Sequence, residues 1–506
     1  MLALAAALVG CGGASTVTLD LEVPQMAAWN PLDKSETGRL AWFRLRRDAD
    51  GSAVAQARFA ADQAVQAGPL PAGPPTDFDL DALADSGQIL ALGRLRQVAV
   101  SADHDTRLTV HFRKPIGYLT GGPEVLLRDA TKAARAVADP GTLPGLAGAG
   151  AVSVTHDGTA VLFAVGQNVV AYSTATHMAM GPMLPLPEPA AGLVVDPTDR
   201  TLAVLGATKV IVFSLAGWLS GSQPEPMGAP ANVPGALSAT FSADGKQLFV
   251  VTSAPALYQL DPAGAVAGMA SLPERAADIA VFRTGSAPIL ALPARGQLAP
   301  VDVTTGTIGA MMAPLPRASV VVATDTALVG FGDGDNRADS GCPAGSSSQP
   351  LAVVVVSGQE PRKVTISIPP FTGGFSQQGG PNQLSANITT AKISIRRAAA
   401  TPDGARAFVW ATAEYCGSPQ FFQQAVTCSS SIQAVDEFVM LVDLSSGTVV
   451  AYESTQEALP SGCSLDCCIG GPPPLGICTT LTCHSGTRVP PMQFAPKGLT
   501  MLFGGK

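Results

Sequence analysis

The sequence predicts an all-β chain, an N-terminal sandwich followed by a long array of sheet repeats, and three observations carry that prediction. Apolar and polar residues alternate with period two through much of the first hundred positions, the mark of half-buried strands. Glycine (53) and proline (42) supply frequent turns. One strand–turn–strand pattern recurs from about residue 150 to the C-terminus. With 506 residues the chain is long enough for two or more domains or one large repeat array. A net charge of −8, with no basic stripe, gives no electrostatic case for a nucleic-acid partner.

The first element, "MLALAAALVGCGG", is an apolar run from Leu2 to Gly10 ending at Cys11. It is shorter than the roughly 20 residues of a membrane-spanning helix and fits the ~7–15 residue apolar region of a secretory signal. No Lys or Arg precedes it. "LVGC" resembles the bacterial lipobox, which implies that residues 1–11 are a signal with its lipidation site and that Cys11 becomes the acylated first residue of the mature chain. Gly12, where inner-membrane lipoproteins carry Asp, implies the outer membrane. Several acyl chains would anchor firmly, at ~0.8 kcal/mol per buried methylene. The competing reading is a free cysteine in a buried N-terminal strand.

Residues 12–118 contain "STVTLDLEV", "RLAWFRLRR", "ILALGRLRQVAVSA" and "RLTVHFRKP", strands by their alternation, with a Pro/Gly-rich break, "AGPLPAGPPTD". They predict one β-sandwich of ordinary size. The segment resembles the immunoglobulin-like or transthyretin-like sandwiches of exported lipoproteins.

Residues 119–506 carry the repeat: "VSVTHDGTAVLFAV" at Val152, "LVVDPTDRTLAVLG" at Leu193, "ATFSADGKQLFVV" at Ala239 and "RRAAATPDGARAFVW" at Arg396, with a degenerate "MQFAPKGLTMLFGG" at Met492. Each is an apolar strand, a tight turn of Asp-Gly type and a second apolar strand. Weaker copies begin near Asp278 and Ser319. Spacings of 41 residues (Val152 to Leu193) and 46 (Leu193 to Ala239), with four strands per unit, are the signature of a β-propeller. Six full units and a two-stranded tail predict seven blades, closed when "PEVLLRDATKAARAVA" supplies the two strands missing from the last. The turns Ser242-Ala243-Asp244-Gly245 and Thr401-Pro402-Asp403-Gly404 resemble those of bacterial propellers with WD-like or surface-layer-type repeats, a resemblance that implies fold and not activity.

Three insertions interrupt the last blades, at 332–350, 414–434 and 459–490. All cysteines after Cys11 lie there: Cys342, Cys416, Cys428, Cys463, Cys467, Cys468, Cys478 and Cys483. Their even number predicts disulfides of undetermined pairing and an oxidising compartment. The alternative, zinc, matches no ligand spacing in "CSLDCCIGGPPPLGICTTLTCH". The insertions are expected as long loops on one face, pinned by disulfides or serving as a binding surface with Phe421 and Phe422 exposed on it. Asp333, Asp335, Asn336 and Asp339 form a candidate oxygen set for calcium, without the spacing of an EF-hand, against the alternative of a solvated acidic turn.

Enzyme signatures such as G-x-S-x-G, H-E-x-x-H or a phosphate loop do not occur. Of five histidines, His156 is expected as a solvated turn residue and His111 as an alternating strand residue. The expected function is therefore a lipid-anchored envelope protein, exported to the bacterial outer membrane, whose propeller binds or scaffolds a protein or glycan ligand. The alternative is a lactonase- or lyase-like propeller enzyme acting on an extracytoplasmic ligand.

Overall fold

The computed structural model describes residues 14–47, 52–59, 66–71, 74–100, 106–132, 142–143, 145–282, 287–335, 350–357, 360–367, 374–377, 384–421, 432–454, 462–466, 479–484 and 497–503. Two sheets form the N-terminal part. One joins Ala14–Glu22 to Gln66–Pro71 on one side and, in parallel, to Thr106–His111 on the other. The second runs Ala53–Arg58, Trp42–Arg47, Thr76–Leu83, Ile89–Val98. Val17 and Leu19 from the first meet Phe43, Leu45, Phe78 and Leu80 from the second in one apolar core. The Pro/Gly-rich break expected as a connector is partly a strand, because "QAGPLP" pairs along Ala14–Glu22, where an edge position tolerates proline.

The rest of the described chain is a succession of antiparallel sheets around a common axis, a β-propeller; they are four-stranded except for the six-stranded sheet of Leu384–Ala400 and the separate two-stranded pair of Gly462–Asp466 with Thr479–His484. The first strands are Val152–Val154, Gly192–Val195, Ala236–Phe241, Asp278–Val281, Ala318–Ala323 and Leu384–Ala400, each lying against the next. Their central strands are buried on both sides, so alternate residues serve different neighbours. Val161 and Phe163 pack back toward Tyr118, whereas Leu162 and Ala164 pack forward against Leu193 and Leu202. Cores of this kind fill each interval between successive sheets.

One further sheet draws on both ends of the chain: Gly498–Met501, Ile116–Thr120, Val125–Asp129 and Thr142–Leu143. Gly498–Met501 lies between Leu384–Ala400 and Val152–Val154. The expected share of two strands from each end gives way to one from the tail and three from upstream. The third is Ile116–Thr120, so a domain boundary drawn at residue 118 falls inside a strand. The seam with the preceding sheet is held by Arg128, whose guanidinium donates to both Glu453 carboxylate oxygens at 2.7 and 2.9 Å, and by Arg406, which donates to the Ala130 carbonyl at 2.9 Å. A methyl group on Gly117 would meet the Phe408 ring at 2.7 Å, so this close approach requires glycine.

Of the insertion at 414–434, expected as a loop, the described residues 414–421 and 432–434 are strand. Arg406–Phe421 and Ile432–Asp443 continue well past the blade and pair with each other, and Arg406–Phe421 pairs on its other side with Leu384–Ala400, forming a β-arm. Within 459–490, Gly462–Asp466 pairs with Thr479–His484. By strand order both leave from the face where second strands end and first strands begin. The N-terminal sheets occupy the opposite face, that of the Asp-Gly turns. There Trp29 meets His177 edge-on at 5.1 Å, Gln25 N–H donates to the Ala175 carbonyl at 3.3 Å and Arg113 donates to Thr174 Oγ1 at 3.1 Å. Glu36 accepts from Lys114 and Lys132 at 3.0 and 2.9 Å; burial pushes its carboxyl up, but the two ammonium groups hold it at about 2.

Two outcomes follow from these contacts. Arg128→Ala strands a buried Glu453 carboxylate and is expected to cost about 3–5 kcal/mol in urea unfolding, whereas Arg128→Met with Glu453→Leu restores most of it. Burial, reinforced by Arg113, pushes the His177 imidazole down to about 4. The unfolded chain therefore binds a proton that the folded chain refuses as pH falls from about 6.5 to 4, and stability declines across that window by at most about 3 kcal/mol. His177→Asn, which tolerates the φ of 55° found there, should flatten the pH dependence of the melting temperature in that window.

Candidate functional site

Three neighbouring strands of the second N-terminal sheet carry matched charges two residues apart. Arg44 and Arg46 stand opposite Asp81 and Asp79, and Asp79 stands opposite Arg94. The period-two pleat puts these residues and Arg96 on one face. That face is covered: Asp79 and Asp81 are 0% exposed, Arg46 and Arg94 5%. Arg46 Nε and Arg44 Nη2 reach Asp81 Oδ2 at 2.6 and 2.7 Å, and Arg96 Nη1 reaches Asp79 Oδ1 at 3.4 Å. Burial works against the Arg46 charge, but its hydrogen bond to Asp81 more than compensates and holds its pKa above the ordinary arginine value.

Two aspartates leave four arginines in positive surplus, and the propeller supplies the third acid. Asp325, in the turn after Ala318–Ala323, accepts from Arg94 Nη2 at 2.6 Å and lies 4.0 Å from Arg46 Nη2. Arg94 also donates to the carbonyls of His156 (3.1 Å) and Phe503 (3.3 Å), and its guanidinium stacks 5.6 Å from the Phe503 ring centre. One side chain thus ties together the turns of two separated sheets and the end of the closing strand.

Arg94, His156, Asp325 and Phe503 form the floor of an axial cavity of about 210 Å³. Its walls are the first strands, and they are mostly small or apolar: Ala151, Val154, Gly192, Val195, Ala239 and Ala280 among them. Asp278, Arg397 and Lys497 also line it. The Asp278 carboxylate accepts from Ser238 Oγ and, at 3.0 Å, from Val321 N–H, so it stitches three sheets. Asp199 accepts from His156 N–H (2.6 Å) and Asp157 N–H (2.8 Å), joining adjacent turns in the same way. Among the described residues no group of three or more His, Cys, Asp or Glu side chains is placed to hold a metal ion.

The residues expected from the sequence are distributed as follows. Cys11, Cys342, Cys428, Cys467, Cys468, Cys478, Phe422, Asn336 and Asp339 lie outside the described residues. Cys416 and Phe421 fall on the arm strand Arg406–Phe421, and Cys463 stands opposite Cys483 in backbone register. Of the candidate calcium set, Asp333 accepts from Ile395 N–H at 2.8 Å, and Asp335 pairs through its backbone with Lys392. His156 is a correction: expected as a solvated turn residue, it is half-buried in the cavity floor, with Nδ1 3.5 Å from Asp199 Oδ1. His111 stays on its strand, Nδ1 3.1 Å from Glu22.

Sequence reasoning missed the charged face of the second sheet, treating its polar positions as solvated. A signal was present in the triplets "RLR", "DLD" and "RLR" at Arg44, Asp79 and Arg94, three strands whose charges match only if they lie side by side.

No family model and no curated protein matches the sequence. Among solved structures, the chain is similar to one titled "Structure of U3-55K", at 10% identity and a TM-score of 0.37, over 53% of this chain and 76% of that one. A second, "Crystal structure of RRP9 WD40 repeats", shares 11% identity and a TM-score of 0.37 over 53% of this chain and 76% of that one.

Arg94→Ala leaves Asp325 and Asp79 buried without their shared cation and is expected to cost about 3–5 kcal/mol. Urea unfolding followed by tryptophan fluorescence measures this, Trp29 being buried close to the interface. An unchanged midpoint would contradict the account of the floor.

Proposed function

We propose that this chain is a lipid-anchored protein of the bacterial outer membrane whose propeller works as a binding or scaffold module for a protein or glycan ligand. The observation that carries the binding reading is the axial cavity, sealed at its floor by Arg94 and walled mainly by small and apolar groups. Such a space holds a guest by shape and burial, and its wall acid, Asp278, is engaged in holding sheets together. The β-arm and the hairpin of Gly462–Asp466 with Thr479–His484 leave the face opposite the floor, so the cavity is flanked by projecting structure on its free side.

The ring is proposed to hold seven blades, the count supported by the six first strands in sequence and the composite sheet of Gly498–Met501 between the last and the first. The N-terminal sheets are proposed as an immunoglobulin-like or transthyretin-like sandwich, supported by their shared core. Support for the anchor is the run Leu2 to Gly10 before Cys11, and support for an oxidising compartment is the eight later cysteines.

Mass spectrometry of the mature N-terminus tests the anchor: an acylated Cys11 is expected, and an unmodified Cys11 or retained Met1 would overturn it. For the binding reading, the chain starting after Cys11 is used to capture ligand from envelope extracts beside Ala191→Trp, which fills the cavity mouth from an exposed position. A ligand lost in the variant supports the cavity as the site, and one retained equally by both chains overturns it.

A further inference from the structure

Six described side chains around the cavity carry or can carry charge, and four of them are engaged. Arg94 and Asp325 hold each other at the floor, Asp278 takes donors from Ser238 and Val321, and His156 lies beside Asp199. The other two are Arg397 and Lys497, and neither side chain forms a hydrogen bond or ion pair with any described residue. Both are cationic, and they sit on adjacent first strands, Leu384–Ala400 and the one that Lys497 leads into.

Their depth is fixed by register. Arg397 stands four residues before Thr401, where the turn to the second strand begins, as Ala151 stands before Thr155 and Ser238 before Ser242. Gly498 holds the same level before Leu502, and Lys497 lies one residue nearer the mouth. Arg397 is half-buried and Lys497 exposed. On a chain with net charge −8, the open end of the axial cavity therefore carries, above apolar walls, two positive charges that no described residue compensates.

The geometry points to a carboxylate site in this cavity: a guest with an anionic head held by Arg397 and Lys497 and a short aliphatic stem inserted between the first strands. A guanidinium matches a carboxylate bidentately, and an ammonium adds a point charge. The volume of about 210 Å³ is below the ~300–1,000 Å³ of a drug-sized ligand site. The guest is therefore a small acid or the C-terminal end of a longer peptide. The inference rests on the binding reading above and names the chemistry that the cavity selects.

Acetyl-Ala-Val-Ala with a free carboxylate, the same tripeptide as its C-terminal amide, and hexanoate are titrated by calorimetry into the chain starting after Cys11, at low and at 0.5 M salt. Saturable binding of the peptide acid or of hexanoate is expected, weaker at high salt, with the amide at least about tenfold weaker than the acid. Preference for the peptide acid assigns the guest to a chain terminus, and preference for hexanoate assigns it to a free acid. Arg397→Gln is expected to weaken the preferred probe by about tenfold or more and Lys497→Gln by a smaller factor. Lys497 is exposed, so its variant keeps the test valid if Arg397→Gln fails to fold. No saturable binding, equal binding of acid and amide, or affinities unchanged in both variants would overturn the site. None of these outcomes affects whether Ala191→Trp loses a ligand captured from envelope extracts, so failure here is distinguishable from failure of the binding reading.

Discussion

The pairing of Gly498–Met501 with Ile116–Thr120 is the contact on which the other features depend. It brings the last described strand to the start of the propeller and places it between Val152–Val154 and Leu384–Ala400. Without it Ile116–Thr120 would present a bare edge, the kind of surface that templates association, and the two flanking sheets would expose apolar faces. The cavity would lose the wall that runs from Lys497 to Thr500, and Arg94 would lose both the Phe503 carbonyl and the ring on which it stacks. Interlock, core and floor are thus consequences of one antiparallel register.

Charge in this molecule is used inward. A chain with only 14% charged residues gathers a cluster of arginine–aspartate contacts beneath the propeller and a bidentate Arg128–Glu453 pair at the ring seam. Ion pairs removed from water yield little net stabilisation compared with apolar groups of the same size, but breaking one partner is expensive. Their effect here is to fix which surfaces meet: Asp325 adds a third acid to the "RLR"/"DLD"/"RLR" face, so docking of the second sheet on the turn face reduces its surplus charge.

The hairpins at Gly158, Gly245 and Gly404 were legible in the sequence because two independent signals agree at them, apolar periodicity and an Asp-Gly turn. The turn at Gly158 shows why: its φ of 74° suits glycine, and a methyl group there would strike the Phe503 ring. The arm was read as loop because Gly417 and Pro419 are poor strand formers locally, while pairing with Leu384–Ala400 overrides that preference. The floor was illegible for a different reason. Whether an alternating Arg faces water or another domain is decided by contacts more than two hundred residues away, as between Arg94 and Asp325. Arg397 and Lys497 were likewise hidden, since a basic residue on a strand signals nothing until the strand is known to line an axis.

The composite sheet has a consequence for the time course of folding. A chain is made from its N-terminus, and domains begin to fold as they emerge. Thr120 must wait for Gly498, so the ring can be threaded nearly to its end while one interval stays vacant. Closing so long a loop carries an entropic cost that grows only slowly with length, yet contacts this remote in sequence form late. Until Gly498–Met501 arrives, the nascent molecule is an open arc with two sticky ends, dependent on the N-terminal sheets and on Arg94 to cover its turn face.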